Sequence, residues 1–441
     1  MIPHNFGLVA LCAALLSGTF VSLPANAEPP KPVPGLNKIE HIIVIYLENR
    51  SFDHLYGTFP TAEGLAQAGA AAPQVDKDGK PYDALPPFKD RAIDSSKPSL
   101  ELPPLPNKPF DLSQFIPIDR PLNASFEMAN NYYQAQQAID GGKMDRYVAI
   151  SGSPAMGYYD GHSLPMWQYA QQYVLADHFF QAAFGGTAIN HFLLFCACEP
   201  TWPNAPADIV AQVASDGTLV KDGVVTPDGF IINNLRPAEV ATSAPLQTTP
   251  HIGNRLDAAG VSWVWYSGNW NNQKNRTPPR PFLLFKDLTI GTPGERKNVK
   301  DESDFVSDLN GGTLPQVVFV KPADNEHPNS MSGLLHDDKH AAELVRAVED
   351  SSYWKSSVII VTYDEGHSFW DHVAPPKVDR WGPGRRIPAI IISPFAKKSF
   401  VDHTQYDTTA ILKLIETRFG LEPLGTRDGA SADLTAALNL Q

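Results

Sequence analysis

The chain alternates between short apolar runs and longer stretches with helical periodicity. The clearest run, residues 39–47, is almost continuously apolar, which is typical of a strand buried on both faces of a sheet. Similar runs predict further strands at residues 173–180, 261–266, 316–320, 358–363 and 387–392. Helical stretches lie between them, at residues 129–150 with an interruption at Gly141-Gly142, at 339–348, and at 408–419 before Gly420.

Strands that alternate with helices predict an α/β fold. We expect a doubly wound, mostly parallel sheet sandwiched by helices. Residues 60–125 are rich in Pro, Ala, Asp and Lys and show little periodicity, so we expect a long loop or cap excursion over the surface. The sequence shows no internal repeat, and residues 28–441 are expected to form a single domain.

The first 27 residues have the features of a secretory signal peptide. Residues 8–16 are apolar, and Ala25-Asn26-Ala27 has the small-x-small form of a cleavage site. The alternative is a single membrane anchor, but the apolar stretch is short for that role and is broken by Pro24. We therefore expect cleavage after Ala27, a periplasmic or secreted protein, and no integral membrane segment in the mature chain.

The formal net charge is −13, and residues 1–27 contribute nothing to it. An acidic surface argues against nucleic acid as a partner and against tight binding to anionic membranes. A phosphate-bearing substrate would then need a local positive centre, which a bound metal ion can supply.

Two cysteines remain once Cys12 leaves with the signal peptide, and they are spaced as Cys196-x-Cys198. A disulfide at that spacing is uncommon and strained. A metal site would need further soft ligands, and no second cysteine pair exists. We therefore expect two small, buried free thiols.

Three of the predicted strands are each followed by a polar cluster: Glu48-Asn49, Asn325-Glu326-His327 and Asp364-Glu365. The carboxyl ends of parallel strands meet at one edge of a sheet, so these groups are expected to converge. Clustered carboxylates repel one another unless a cation neutralises them, which favours a hard divalent ion. The alternative is that each cluster caps a helix or lies in a solvated loop.

Gly185-Gly186-Thr187 follows another predicted strand. The glycines allow the backbone to approach a phosphate with its N–H groups free. Coordination of the Thr187 hydroxyl to a metal would lower its pKa and make it a nucleophile. The alternative is an ordinary turn.

Several longer motifs then occur in order along the chain. They cover residues 48–54, 141–145, 177–191, 325–328, 362–365 and 369–373. On these motifs the chain resembles, from about residue 39 to residue 438, the bacterial phosphoesterase family of acid phosphatases and phospholipases C. The resemblance implies an alkaline-phosphatase-like α/β core.

The resemblance also implies roles for individual residues. The residue at the position of Thr187 attacks phosphorus, and His327 contacts the phosphoryl group or assists the leaving group. Asn190 and His191 follow the nucleophile and shape its turn. One divalent metal ion, with calcium, magnesium, manganese and zinc as candidates, is held by Glu48, Asn49, Thr187, Asp364 and Glu365.

A further pair, Asp371 and His372, would either contact the metal ligands or brace a loop. The chain departs from the family pattern at three places. Asn130 and Asn298 replace histidines, and His367 stands in Gly366-His367-Ser368 where relatives have Asn-Gly-Gly. Asparagine cannot carry a proton near neutral pH, so phosphate contacts or proton transfer are expected to differ, and His367 is a candidate substitute for a lost imidazole.

Together these observations predict a metal-dependent phosphoesterase that hydrolyses small phosphate esters through a phospho-threonine intermediate. Acid phosphatase is favoured over phospholipase C, because the chain ends at Gln441 without a lipid-binding module and has no basic amphipathic helix. A phospholipase C acting on a phospholipid headgroup is the first alternative. A catalytically impaired, metal- or phosphate-binding descendant is the second. A sulfuric ester hydrolase is disfavoured, because residues 187–191 lack the Cys/Ser-x-Pro-x-Arg pattern.

Overall fold

The computed structural model describes residues 29–89, 100–119, 129–215, 217–235, 243–271, 281–322 and 334–441. The predicted signal peptide and its cleavage site, residues 1–27, lie outside the described residues. The same holds for the cluster Asn325-Glu326-His327, so His327 has no structural account here.

The strands of the described residues are β1 (His41–Leu47), β2 (Phe88–Lys89), β3 (Glu101–Leu102), β4 (Phe110–Asp111), β5 (Gly157–Tyr158), β6 (Val174–Ala176), β7 (Phe179–Phe180), β8 (Gln212–Val213), β9 (Leu219–Lys221), β10 (Trp263–Ser267), β11 (Val299–Asp301), β12 (Val317–Lys321), β13 (Ser357–Tyr363), β14 (Ala389–Ile392), β15 (Phe400–Asp402) and β16 (Tyr406–Asp407).

The α-helices of the same ranges are α1 (Phe52–Tyr56), α2 (Tyr132–Ile139), α3 (Tyr147–Ser151), α4 (Pro165–Gln172), α5 (Thr187–Cys196), α6 (Ile252–Ala258), α7 (Pro293–Asn298), α8 (Ser303–Gly311), α9 (Leu334–Glu349), α10 (Thr409–Phe419) and α11 (Thr426–Ala430).

Eight strands of the described ranges form the main sheet, in the order β11-β10-β12-β1-β13-β14-β6-β15. Neighbouring strands pair in parallel except at β14, which runs antiparallel to both β13 and β6. The prediction of an α/β fold with a mostly parallel sheet is confirmed. Helix α4 packs against β6 and β14, and α6 packs against β10.

β1 lies in the interior of the main sheet, between β12 and β13. Leu47, its last residue, is level with Tyr363, the last residue of β13. All residues of β1, β12 and β13 are buried, which is why their sequences are apolar without alternation. The carboxyl ends of these three strands therefore lie side by side at one edge of the sheet.

Two predicted elements are divided in the structure. The strand predicted at 173–180 splits into β6, in the main sheet, and β7, which pairs with β16 outside it. The helix predicted at 129–150 splits into α2 and α3, because Gly141 and Gly142 have φ of 67° and 110° and interrupt helical geometry as expected.

The predicted excursion has little regular structure in its described part, residues 60–89 and 100–119. β2 pairs with β3, and β4 pairs with β5 from outside the segment. Leu85, Leu102 and Leu112 are buried and belong to the main hydrophobic core. The described part of the excursion therefore packs onto the core, and the single-domain division stays a prediction.

Cys196 and Cys198 form a disulfide, so the expectation of two free thiols is wrong. Helix α5 ends at Cys196, and Ala197 adopts the left-handed conformation with φ of 46°. This turn brings the two Cα atoms to 5.0 Å, within the usual range for a disulfide. A left-handed alanine is uncommon, so the Cys-x-Cys spacing alone does not predict this turn.

Candidate active site

Glu48-Asn49 and Asp364-Glu365 meet where β1 and β13 end. The backbone N–H of Asn49 donates to Asp364 Oδ1 at 3.2 Å and joins the two segments. Asn49 has φ of 67°, a left-handed conformation that asparagine tolerates better than most residues. The structure thus brings together four of the five residues predicted to hold a metal.

Burial of these carboxyl groups disfavours their charged forms. Asp364 and Glu365 are fully buried. Burial raises the pKa of Asp364 to about 6, with the charge of Lys321 opposing the shift and that of Glu365 adding to it. Burial and then the charge of Glu48 raise the pKa of Glu365 to about 8. Glu48 keeps some exposure, and burial followed by the charge of Asp364 raises its pKa as well.

Three buried oxygens at this edge accept no hydrogen bond from the described residues: Asn49 Oδ1, Asp364 Oδ2 and Glu365 Oε2. Buried oxygens in natural proteins are usually partnered, so these three oxygens are available to bind a ligand. Carboxylate and amide oxygens are the ligands that hard divalent cations prefer. The residues present therefore fit a divalent cation.

Lys321, the last residue of β12, was missed by the sequence analysis. Its Nζ contacts the Glu48 carboxylate and lies 3.8 Å from Asp364 Oδ2. It directly follows the strand predicted at 316–320, and that position was the available signal. One lysine offsets only part of the charge of three carboxylates.

Thr187 joins the group from the N-terminus of the ten-residue helix α5. Its hydroxyl donates to Glu365 Oε1 at 3.4 Å, and Asn130 Nδ2 donates to the same oxygen at 3.0 Å. Thr187 is only partly buried, whereas Ala188 and Gly186 beside it are buried. The hydroxyl is therefore hydrogen-bonded to Glu365, on a residue that keeps some exposure to solvent.

Asn190 holds the turn that precedes Thr187. Its Oδ1 accepts from the Ala183 N–H at 2.9 Å, and its Nδ2 donates to the carbonyls of Gly185 and Gly186 at 2.9 and 3.0 Å. A Cβ added to Gly186 would lie 3.3 Å from Glu365 Oε1. Glycine at this position therefore permits the close approach of the turn to Glu365.

His191 lies one turn into α5, and its Nδ1 is 2.8 Å from the Thr187 carbonyl oxygen. Its ring also contacts the rings of Tyr46 and Trp265. The structure therefore gives His191 contacts with the backbone of the nucleophile candidate and with the sheet beneath it.

Residues 39–422 match the Phosphoesterase family. The chain belongs to this family. The resemblance inferred from the motifs is therefore confirmed.

Bacterial phospholipases C are among the relatives of this Phosphoesterase family member. The non-hemolytic phospholipase C of Burkholderia pseudomallei is 24% identical, covering 95% of this chain and 61% of its own length. Phospholipase C A of Mycobacterium tuberculosis is 26% identical, covering 92% of this chain and 79% of its own length. The chain thus spans less than two thirds of the Burkholderia protein. These names support the expectation of a phosphoric ester hydrolase.

Among solved structures, a protein in the alkaline phosphatase superfamily from Vibrio parahaemolyticus overlaps with a TM-score of 0.37 at 12% identity, covering 69% of this chain and 67% of that one. No helix within the described ranges combines the length and the apolar character needed to cross a membrane.

Asp371 and His372, predicted to contact the ligands or brace a loop, belong to a buried network centred on Arg386. Arg386 Nε donates to Asp371 Oδ1 at 2.9 Å, and its Nη2 donates to Asp53 Oδ1 at 3.1 Å. His372 Nδ1 lies 2.7 Å from Asp53 Oδ2. The network therefore ties the segment after Glu365 to helix α1, which follows Asn49.

The ligand atoms of Asp53, Asp371 and His372 lie within 4.8 Å of one another, and the group could hold a metal ion. However, both carboxylates already bond to Arg386 and to the backbone N–H groups of Asp53, His372 and Val373. A cation would have to displace these contacts. The edge formed by Glu48, Asp364 and Glu365 has unpartnered oxygens and therefore fits a cation better.

The three departures from the family pattern lie in different places. Asn130 contacts Glu365, as described above. His367 is buried, has φ of 51°, and its Nδ1 has no hydrogen-bond partner in the described part of the chain. Asn298 lies away from the carboxylates of Glu48, Asp364 and Glu365. It ends α7 just before β11, and two strands, β10 and β12, separate β11 from β1.

Proposed function

We propose that the protein is a metal-dependent phosphoesterase in which Thr187 is the nucleophile. The observation that carries the proposal is the hydrogen bond from the hydroxyl of the partly exposed Thr187 to Glu365 Oε1, together with the unpartnered, buried oxygens Glu365 Oε2 and Asp364 Oδ2 of the same edge. Family membership supports phosphoric ester hydrolysis, and the sequence motifs support these particular residues.

In this proposal the metal ligands are Glu48, Asn49, Thr187, Asp364 and Glu365. A divalent ion bound there would lower the pKa of the Thr187 hydroxyl and stabilise negative charge on the phosphoryl oxygens. Glu365 Oε1 orients the hydroxyl by accepting its hydrogen bond. The side chains of this set would bind the metal through oxygen atoms, which suits calcium, magnesium or manganese, with zinc as a further candidate.

The proposed reaction is an in-line displacement. Thr187 Oγ1 forms a bond to phosphorus as the bond to the leaving oxygen breaks, and water then hydrolyses the phospho-threonine and releases phosphate. We assign His327 to the phosphoryl group or the leaving oxygen on the motif alone. Phosphoryl transfer depends mainly on positioning and charge stabilisation, and the hydrogen bonds of Asn190 would supply the positioning by fixing the turn before Thr187.

In this proposal the preferred substrates are phosphate monoesters. The protein is also proposed to be exported. Two alternatives stay open. The relatives named phospholipase C favour a diester with a phospholipid headgroup. The loss of histidines at Asn130 and Asn298 favours a catalytically impaired descendant, although Asn130 keeps a hydrogen bond to Glu365.

The test is release of p-nitrophenol from p-nitrophenyl phosphate and from p-nitrophenyl phosphorylcholine, at pH 5 to 8, with and without chelator. We expect chelator-sensitive turnover, faster on the monoester, that Thr187→Ala reduces by at least about a thousandfold because the nucleophile is removed. Thr187→Ser, which keeps the hydroxyl, is the matched control and should retain part of the activity.

Faster turnover of the phosphorylcholine ester would replace the phosphatase assignment by phospholipase C. Unchanged turnover in Thr187→Ala would reject the assignment of Thr187 as the nucleophile. If the folded, metal-replete wild type turns over neither ester, the catalytically impaired descendant becomes the favoured alternative. The variants Asn130→His and Asn298→His would then test whether the histidines restore activity.

A further inference from the structure

Arg385 is fully buried, and no carboxylate or carbonyl of the described residues accepts a hydrogen bond from its guanidinium. The next residue, Arg386, is equally buried but bonds to two carboxylates and two backbone carbonyls. A buried guanidinium without a carboxylate or carbonyl partner is costly, because its charge has left water with little compensating contact. The fold accounts for Arg386, whereas Arg385 needs another explanation.

Gln181 attaches the backbone of Arg385 to the candidate active site. Its N–H donates to the Arg385 carbonyl at 3.0 Å, and its Oε1 accepts from the Gly366 N–H at 2.7 Å. Its Nε2 donates to the Gly185 carbonyl at 3.2 Å, in the turn before Thr187. A Cβ added to Gly366 would lie 3.2 Å from Arg385 Cβ. Arg385 therefore lies against the segment that carries Glu365 and close to the turn that carries Thr187.

Two other buried polar groups lie near Arg385. Its guanidinium carbon is 5.5 Å from the centre of the Tyr147 ring, and its charge and a side-chain contact with the hydroxyl oppose the rise in the pKa of Tyr147 that burial causes. His367 Nδ1 is buried and has no hydrogen-bond partner among the described residues. The charge of Arg385 contributes to lowering the pKa of His367, after burial, and opposes the rise in the pKa of Glu365. The positive charge of Arg385 therefore acts on both neighbours of Gly366, Glu365 and His367.

The charges around Arg385 favour an anion once the metal site is filled. A divalent ion would offset the carboxylates of Glu48, Asp364 and Glu365, with Lys321 already contacting Glu48. The guanidinium of Arg385 would then be a buried positive charge that no carboxylate of the described residues contacts by a hydrogen bond. Guanidinium binds phosphate oxygens with strong, charge-assisted hydrogen bonds.

We propose that Arg385 binds a non-bridging oxygen of the substrate phosphoryl group and gives the site a preference for dianionic monoesters over monoanionic diesters. This inference rests on the proposed function and adds a specificity-determining residue to it. A phosphate monoester carries about −1.5 to −2 at pH 7, whereas a diester carries a single negative charge. An extra fixed cation in a water-poor site attracts the dianion more strongly.

Binding of inorganic phosphate tests the inference without catalysis. Thermal unfolding of the metal-replete full chain is followed with and without phosphate at pH 7, for wild type, Arg385→Met and Arg385→Gln. We expect phosphate to stabilise the wild type, and both variants to bind phosphate about 10- to 100-fold more weakly, as for the loss of a charged hydrogen bond. Without phosphate, Arg385→Met should be at least as stable as the wild type, because an unpaired buried charge is removed.

Arg346→Met is the matched control, because it removes an exposed positive charge on α9 and should leave the phosphate response unchanged. With the two model esters, we expect Arg385→Met to lower kcat/KM about 10- to 100-fold for p-nitrophenyl phosphate and much less for p-nitrophenyl phosphorylcholine.

The inference is overturned if phosphate does not stabilise the wild type, or if the neutral variants keep its full effect. A destabilised Arg385→Met with an unchanged phosphate response in Arg385→Gln would make Arg385 a structural residue. Equal losses on both esters would remove the specificity claim. A wild type that hydrolyses neither ester would instead reject the proposed function, and the Arg385 dependence of phosphate stabilisation would still decide phosphate binding.

Discussion

Glu365 connects the candidate metal site to the nucleophile, because the same oxygen accepts from Thr187 and from Asn130. In metal-free protein, burial and the charge of Glu48 raise the pKa of its carboxyl group to about 8. The unfolded chain titrates near the ordinary value of about 4.3. Between these values the folded protein holds a proton that the unfolded chain has lost, so stability falls as pH rises.

We therefore predict that Glu365→Gln flattens the loss of stability of the chelated protein between about pH 5 and pH 8. The effect is a few kcal/mol at most, since one pKa unit corresponds to about 1.4 kcal/mol. Thermal unfolding across this pH range, in chelator, measures it. With a divalent ion at pH 8, the wild type should be more stable than Glu365→Gln, because ligation needs the ionised carboxylate. Parallel pH profiles for the two proteins would show that Glu365 is not the group that titrates.

The carboxylates could be predicted from sequence, whereas the burial of Arg385 could not. Glu48 and Asp364 each follow a continuous apolar run, and such positions share one sheet edge. Arg385 stands in a segment of glycine, proline and arginine, where an exposed cation is the ordinary expectation. Its burial depends on contacts with Gln181 and Gly366, which are distant in sequence.

At the scale of elements, Arg386 couples helix α1 to the segment that follows β13. Its guanidinium bonds to Asp53 and Asp371, and all three side chains are almost fully buried. Because α1 follows Asn49 and the other segment follows Glu365, the network braces both sides of the candidate metal site.

Arg386→Met is predicted to destabilise the protein by about 3–5 kcal/mol, because it leaves two buried carboxylates without their cation. Arg385→Met, one residue earlier and equally buried, is the matched control and should be close to neutral. Urea unfolding of the two variants makes the comparison. Equal destabilisation would mean that burial alone, and not pairing, sets the contribution of each arginine.

The disulfide at the end of α5 closes a very short loop. Loop-closure entropy grows with loop length, so replacing both cysteines, Cys196→Ser with Cys198→Ser, should cost only about 1–2 kcal/mol. Thermal unfolding of the double variant beside disulfide-bonded wild type measures this cost, and reduced wild type should match the double variant. A loss well above this range would indicate that the bridge also holds α5, and with it Thr187, in place.

Long apolar elements were predictable, and short ones were not. β1 and β13 each have seven residues and are buried throughout, so their sequences identify them. β7 has only two residues and pairs with β16, more than two hundred residues later in the chain. No local pattern separates it from β6, which explains why one strand was predicted where the structure has two.

For the whole molecule, the α/β class followed from the alternation of elements, but the order of strands did not. β1 pairs with β12 and β13, which follow it by hundreds of residues. The site exists only because this order makes the three strands neighbours. The net charge of −13 means that the protein as a whole repels anions. An anionic substrate therefore depends on local cations such as Lys321 and Arg385.

The central claim is that Thr187 carries the phosphoryl group during turnover. The most direct measurement is mass spectrometry of the peptide containing Thr187, after the metal-replete protein is mixed with p-nitrophenyl phosphate and quenched in acid. The account predicts one added phosphate on Thr187, absent from Thr187→Ala and from chelated protein. Steady release of p-nitrophenol with no phosphate trapped on Thr187, or with phosphate on another residue, would contradict it.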